Sequence, residues 1–255
     1  FPGLIEEKAS WPVLYHLSEQ RENIIDWFPM RKHASVLEVG AGCGAVTGAL
    51  TRKAERVVAN DLSKRRSMIN AWRHRDADNL ELIVGNFNRV AGGLQEKFDY
   101  VTLIGVYEYS ESYIQDPDPY SVFLNKINSL LKEDGEILIA IENRLGMKYF
   151  AGCVEDHMGR VGEGIEGYPL THGVRTFARA ELEQIFQKNG YAEYEFYYPY
   201  PDYKFPTTIY SDHCLPGRGE LLNNLRNFDA DRYVIFDETR ADNFQFIFCE
   251  GEEKG

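Results

Sequence analysis

The stretch Val36–Leu50, VLEVGAGCGAVTGAL, sets four glycines among small and apolar side chains. SVLEVG reads as a short buried strand, and GCGAVTGALTRKA as a loop turning into a helix. A glycine-rich turn between a first strand and its helix lets a ligand approach the backbone where side chains would block it, beside the free N–H groups of a helix N-terminus. Residues 40–45, GAGCGA, formally satisfy the GxGxxA pattern of dinucleotide enzymes, so the glycines alone do not select the ligand. Glu38 is more informative. It is a carboxylate in a strand otherwise made of Val36, Leu37 and Val39, and its burial is costly unless it is hydrogen-bonded or paired with a cation.

Outward from that turn the rhythm is regular. ERVVAND is a second strand, LELIVG a third, FDYVTLIGVYEY a fourth and EILIAIEN a fifth. Between them lie a predicted helix over 63–75, with Met68, Ile69 and Trp72 expected to face the core, and another from about 120 to 132 that stops at a Gly135 turn. Upstream, Ser18 is placed to cap a helix carrying Leu17, Ile24, Ile25 and Phe28 at helical spacing, ended by Pro29. Strands alternating with helices argue for an α/β fold with a parallel sheet and helices on both faces. After residue 141 the periodicity fades. Residues 142–175 read as a long loop, with glycines at 152, 159, 162, 164 and 167. TFARAELEQIFQKNG is a helix, YAEYEFYY a strand, 218–227 a short helix and NFQFIFCEG a last strand.

Composition narrows the function. A net charge of −12 opposes a phosphate backbone, so no nucleic-acid partner is expected. The one basic cluster, Lys64, Arg65, Arg66, Arg73 and Arg75, reads as a solvated helix face. No 18-residue apolar window is present to span a membrane. The four cysteines have no CxxC pairing, which suits a reducing, cytoplasmic compartment. The start, FPGLIEEKAS, has neither an initiator Met nor the pattern of a signal peptide, and suggests a trimmed chain or a piece of a longer one.

The spacing E-x-G-x-G-x-G from Glu38 to Gly44 resembles the first motif of the class I S-adenosylmethionine-dependent methyltransferases, whose ligand brings an ammonium group rather than a pyrophosphate. Asp61, closing VVAND, matches the acid that in that family accepts hydrogen bonds from the ribose hydroxyls. LELIVGNF resembles the third-strand motif, with Asn86 where the family usually has Asp and Phe87 against the adenine. LLKEDGEILIAIEN and the closing FQFIFCEG resemble the fifth strand and the final antiparallel pair. The resemblance implies S-adenosylmethionine as cofactor, lined by Tyr15, Glu38, Gly40, Ala41, Gly42, Asp61, Leu62, Asn86, Phe87 and Val106. It implies a Rossmann-like, seven-stranded, mostly parallel sheet with an antiparallel last strand, in a single domain over 1–255. That domain would have a helical segment over 1–35 and two loop insertions, 142–175 and 199–242, capping the acceptor. Phrases such as YHLSEQRENIIDWFP, IENRLGMKYFAG and YYPYPDYKFP resemble bacterial methyltransferases found beside or fused to glycosyltransferases, which suggests a small-molecule or glycan acceptor and a glycosyltransferase domain or partner.

Methyl transfer from a sulfonium is an in-line displacement, and a hydroxyl acceptor also needs a base. Candidates are His157, in the cluster Glu155, Asp156, His157, and Glu142 at the end of the fifth strand. Each also has a structural reading, as a hydrogen bond anchoring a loop. Tyr107, Glu108, Asn143, Asp156, Tyr168, His172 and Tyr203 are expected to line the acceptor, although Glu108 also reads as a solvent-facing acid and the rings of 197–206 as simple packing. His157 has no second histidine at ligand spacing, so no metal is expected. The glycines of 151–168 suggest a lid. A non-catalytic relative that keeps the fold as a binding module, and a nicotinamide-dependent dehydrogenase, are the alternatives.

Overall fold

The computed structural model describes residues 2–8, 10–217 and 246–251. The chain divides into two compact units, one built on residues up to Ile104 together with Lys126–Leu138, the other on Gly105–Asn125 and the residues from Ile139 onward.

The first unit carries β1 (Ser35–Val39), β2 (Arg56–Asp61), β3 (Leu80–Val84) and β4 (Phe98–Ile104). β1 pairs in parallel with β2 (Val36 opposite Val57) and with β4 (Val36 opposite Tyr100), and β2 pairs in parallel with β3. Val36, Leu37, Val57, Val58 and Val101 are fully buried, as expected of parallel strands covered on both faces. The helix Thr47–Lys53 buries its first turn, Thr47 to Leu50.

Helix Lys64–Arg73 corrects one expectation. Met68 and Trp72 are 54% and 68% exposed, while Ser67 and Asn70 are buried. The physical reason lies in the glycine turn. Asn70 Nδ2 donates to Thr47 Oγ1 at 3.0 Å, and the ring of His74 meets the Gly44 carbonyl at 2.9 Å, so the polar face of the helix turns inward. A Cβ at Gly44 (φ +75°) would stand 2.3 Å from Asn70 Oδ1, so this glycine is required both by its backbone and by the helix against it. At the N-terminal end, Ser18 caps as expected by accepting from Gln20 N, but a 3-10 turn, Glu19–Glu22, precedes the short helix Asn23–Asp26. Helices Pro2–Lys8 and Trp11–Leu17 lie before it.

The strand β5 (Leu131–Ile141) begins in the first unit and ends in the second. The predicted helix of 120–132 is Pro119–Asn128, and Gly135 lies inside β5 rather than in a turn. A side chain at Gly135 would crowd the carbonyls of Phe98 and Lys132, each at 3.0 Å. The fourth strand stops at Ile104, earlier than expected, because Gly105 takes φ +67° and Tyr107–Tyr109 form a 3-10 turn. The second unit adds helices Ser110–Tyr113, Met147–Phe150 and Arg179–Lys188 and strands β6 (Glu193–Tyr200), β7 (Thr208–Ser211) and β8 (Phe246–Gly251). β6 pairs antiparallel with both β7 and β8.

The strand order is β3-β2-β1-β4-β5-β8-β6-β7. Eight strands replace the seven expected. The extra strand is β7, in a segment read from sequence as loop, where Tyr198 and Tyr200 of β6 pair with Tyr210 and Thr208. Residues 142–175 also hold more order than an open loop, with the helix Met147–Phe150 and a bridge between Val154 and Val161. The helix predicted at 218–227 lies outside the described residues. Among the described residues, no helix is long and apolar enough to cross a membrane.

Candidate functional site

The glycine turn is shaped by left-handed glycines and one carboxylate. Gly40, Gly42 and Gly44 have φ of +73°, +56° and +75°. Gly40 N and Ala41 N both donate to the Asn60 carbonyl, at 2.8 and 3.0 Å, which ties the turn to the end of β2. Asp61 holds the next step: its Oδ2 accepts from Gly42 N at 2.9 Å and its Oδ1 from Ser63 N at 2.7 Å. A Cβ at Gly42 would meet nothing within 4 Å, so the turn opens onto free space there. Glu38 is 4% exposed, and a neutral hydroxyl, Thr47 Oγ1, donates to it at 2.6 Å. Burial lifts its carboxyl to about 7, with Asp61 adding to the rise and Thr47 opposing it. A buried acid held so high suits a cationic ligand, and the ammonium of S-adenosylmethionine fits it.

The other residues expected around a cofactor are placed as follows. Tyr15 lies under the Arg21 guanidinium, 4.4 Å from the ring centroid. Asn86 Oδ1 accepts from Asn88 N at 2.9 Å and caps the short helix Phe87–Val90. Leu62 is 57% exposed, Ala41 is buried, and Val106 directly precedes the Tyr107–Tyr109 turn of the second unit.

The second unit gathers acids, a histidine and lysines in its interior. Glu108 follows the end of β4, Glu142 follows β5 directly, and both side chains are 1% exposed. His157 Nε2 stands 3.6 Å from Glu108 Oε1 and 3.9 Å from Glu142 Oε2, while its Nδ1 lies 3.1 Å from Glu155 Oε1. Glu155 is itself fixed by the backbone N–H groups of His157 and Met158, at 2.7 and 2.6 Å, and by the Tyr168 hydroxyl at 3.1 Å. The edge of His157 meets the Tyr109 ring, centroids 5.4 Å apart. On the far side of Glu142, Lys204 Nζ stands 2.8 Å from Oε1 and Tyr203 donates its hydroxyl to the same oxygen at 3.3 Å. Lys148 donates to Asp156 at 2.7 Å, and Tyr149 donates to the same carboxylate.

These neighbours set the charges. Burial alone would lower His157, but Glu142, Glu108 and Glu155 outweigh it and lift the imidazole to about 11. Burial alone would raise Glu142, but Lys204 and His157 hold it at about 2. Glu108 has no lysine; burial and Glu142 push it up against the pull of His157.

Of the predicted catalytic residues, the structure brings Glu142 and His157, and of the predicted acceptor-lining residues Glu108, Asp156, Tyr168 and Tyr203, into one hydrogen-bonded and ionic assembly. His172 is exposed. Tyr107 packs against Tyr120, Phe123 and Phe177 and donates its hydroxyl to the Tyr120 carbonyl at 3.2 Å. Asn143 Oδ1 accepts from Leu145 N at 3.0 Å. Sequence reasoning missed Lys148 and Lys204, whose burial is extreme for lysine. A lysine inside the apolar, aromatic run YYPYPDYKFP was the available signal.

Comparison with known proteins agrees with the geometry. The sequence model of the methyltransferase domain matches residues 15–195. No curated protein matches the chain in sequence. In fold, the chain is similar to a SAM-dependent methyltransferase of Thermotoga maritima, with TM-score 0.53, 15% identity and coverage of 98% of this chain and 96% of that one. It is also similar to a structure of the Haloferax volcanii Trm112 methyltransferase activator in complex with a methyltransferase, with TM-score 0.57, 18% identity and coverage of 98% and 95%. A third is phosphoethanolamine N-methyltransferase 1 of Haemonchus contortus, bound to phosphoethanolamine and S-adenosylhomocysteine, with TM-score 0.53, 15% identity and coverage of 92% of this chain and 42% of that one. The left-handed glycine turn, the acid buried in the first strand and the family match over most of the chain lead to one conclusion: the chain belongs to the methyltransferase-domain family and is a class I S-adenosylmethionine-dependent methyltransferase.

Proposed function

We propose that the protein methylates an oxygen of a small hydroxylated acceptor, a glycan or nucleotide sugar among the candidates, in the cytoplasm and beside a glycosyltransferase partner. The observation that carries the oxygen reading is the pair of buried carboxylate atoms, Glu108 Oε2 and Glu142 Oε2, that have no hydrogen-bond partner among the described residues. An acceptor hydroxyl supplies the donor these atoms lack.

When bound, the cofactor would supply a methyl group on a sulfonium, which the acceptor oxygen attacks in line as the S–CH3 bond breaks and S-adenosylhomocysteine leaves as a neutral thioether. Glu38 holds the ammonium, Asp61 the ribose hydroxyls, and Gly40 and Gly42 let the ligand approach the backbone. Glu108 and Glu142 are the proton-accepting pair, with His157 as the cation between them. The hydroxyl donates to a carboxylate, Glu108 keeps the proton because its carboxyl is already raised, and the imidazolium of His157 faces the anion that develops. Tyr203 and Lys204 hold Glu142, and Tyr168 holds Glu155, so the group stays fixed while the proton moves. Segments 142–175 and 199–217 belong to the acceptor side of a single methyltransferase domain, with 151–168 as its lid; residues 218–242 of the second predicted insertion lie outside the described residues.

The test is turnover. Release of S-adenosylhomocysteine with a set of hydroxylated sugars and metabolites, matched against amine and carboxylate acceptors, is expected only for the hydroxyls. Donor binding without turnover on any acceptor would point to a non-catalytic binding module. Binding of nicotinamide nucleotides in place of S-adenosylmethionine would end the assignment.

A further inference from the structure

Among the described residues, Glu108, Glu142 and His157 present ligand atoms that all lie within 4.8 Å of one another. Atoms sharing an ion through bonds of roughly 2.1 Å stand about 3.0 to 3.5 Å apart. The distances from His157 Nε2, 3.6 and 3.9 Å, are those of such a set standing slightly open. Two of the three ligands are also held from behind. His157 turns its Nδ1 to Glu155, the carboxylate-to-histidine contact that orients metal-bound imidazoles. Glu142 gives Oε1 to Lys204 and turns Oε2, which has no hydrogen bond among the described residues, toward His157.

A second observation points to a missing ligand. Among the described residues, Glu108 Oε2 and Glu142 Oε2 have no hydrogen-bond partner, although each side chain is only 1% exposed. Buried polar atoms left so are rare and mark an unaccounted group. The surrounding charge has the same sign: five buried acids, Glu108, Glu142, Glu155, Asp156 and Asp202, outnumber two buried lysines, Lys148 and Lys204, which pair with Glu142, Asp156 and Asp202.

We infer that Glu108, Glu142 and His157 form a binding site for one divalent cation of the manganese or zinc type, with open positions for water or an acceptor oxygen. The inference rests on the reading of this cluster as the acceptor site and deepens it: binding the ion displaces the proton from His157 Nε2 to solvent, and activation of the hydroxyl passes from the carboxylates to the ion. The two readings fail separately, because metal binding is measured without donor or acceptor.

Full-length protein cleared with a chelator is titrated with Mn2+ by calorimetry. One saturable site per chain is expected, weakened at least about tenfold in Glu108→Gln and about 10- to 100-fold in the positioning variant Glu155→Gln, and unchanged in Glu111→Gln, an exposed acid outside the cluster. Spin-echo spectroscopy of Mn2+ on the unmodified protein should show an imidazole nitrogen at the ion, a readout that needs no variant to fold. Absence of saturable binding, or a nitrogen-free ion site untouched by Glu108→Gln, overturns the inference. Full methyl transfer in excess chelator would overturn it too, while leaving the methyltransferase reading intact.

Discussion

In the first unit, ten consecutive residues, Glu38–Thr47, supply the buried acid, the left-handed glycines and the hydroxyl of the donor turn, with Asp61 and Asn70 closing it. In the second unit, the cluster draws Glu108, Glu142, Lys148, Glu155–His157, Tyr168 and Tyr203–Lys204 from separate segments. The first site is a backbone conformation that side chains must stay out of. The second is a set of buried charges that hold one another. A substitution in the donor turn should therefore act mainly on ligand affinity, whereas one in the cluster should act on rate and stability together.

The largest effect is expected at His157. His157→Ala removes the cation between Glu108 and Glu142 and should lower the transfer rate by roughly 10² to 10⁴, with donor affinity nearly unchanged. Its folded value is raised from 6.5 to about 11, so its stabilising contribution is complete below about pH 6.5 and is lost as pH rises through about 11. Denaturant titrations should show that alkaline loss in the unmodified protein and not in His157→Ala. A donor affinity that falls as far as the rate would erase the contrast between the two regions.

Asp61→Ala comes next. Loss of charge-assisted bonds to the ribose hydroxyls, worth roughly 1.5 to 3 kcal/mol each, should weaken the donor by one to three orders of magnitude. The carboxylate is only 9% exposed and also accepts from Gly42 N and Ser63 N, so its removal touches stability as well. Leaving these two donors without a partner should cost about 1 to 3 kcal/mol each, less where water reaches them. Calorimetric donor binding and thermal unfolding of the variant separate the two losses. Unchanged affinity would place the ribose elsewhere.

The same contrast explains what could be read in the sequence. Glu38, Gly40, Gly42 and Asp61 were legible because a strand, a turn and a helix impose their spacing locally, and the alternation of strands and helices followed from period and length. Eight strands instead of seven, and the exposure of Met68 and Trp72, were not legible. The first depends on a short, Pro- and Tyr-rich segment folding β7 back onto β6, and the second on a polar contact between Asn70 and Thr47 on another helix. The cluster was half legible. Glu142 and His157 stood out as types able to move a proton, but nothing local shows that Lys204 lies 2.8 Å from Glu142 or that Glu108 is buried. Apolar patterning places helices and strands; it carries no record of which buried charges meet.

The smallest effect is the most specific to the donor turn. Burial raises the Glu38 carboxyl to about 7, above the 4.5 of a free side chain, so the free protein keeps it protonated in acid. An ammonium is held well only by the ionised form, so below about pH 7 the protein must release a proton before it holds the donor. The affinity should then fall by up to about tenfold for each pH unit from 7 toward 5. The sign for stability is the reverse. A raised acid stabilises the free protein below 4.5, and that contribution is lost as pH rises through about 7, so the donor should stabilise the protein more at pH 7.5 than at pH 5. Glu38→Gln should bind weakly with no such slope, because the amide neither titrates nor attracts the cation. A flat donor affinity in the unmodified protein between pH 5 and 7 would mean that Glu38 is ionised throughout, and that the turn already holds a compensating charge.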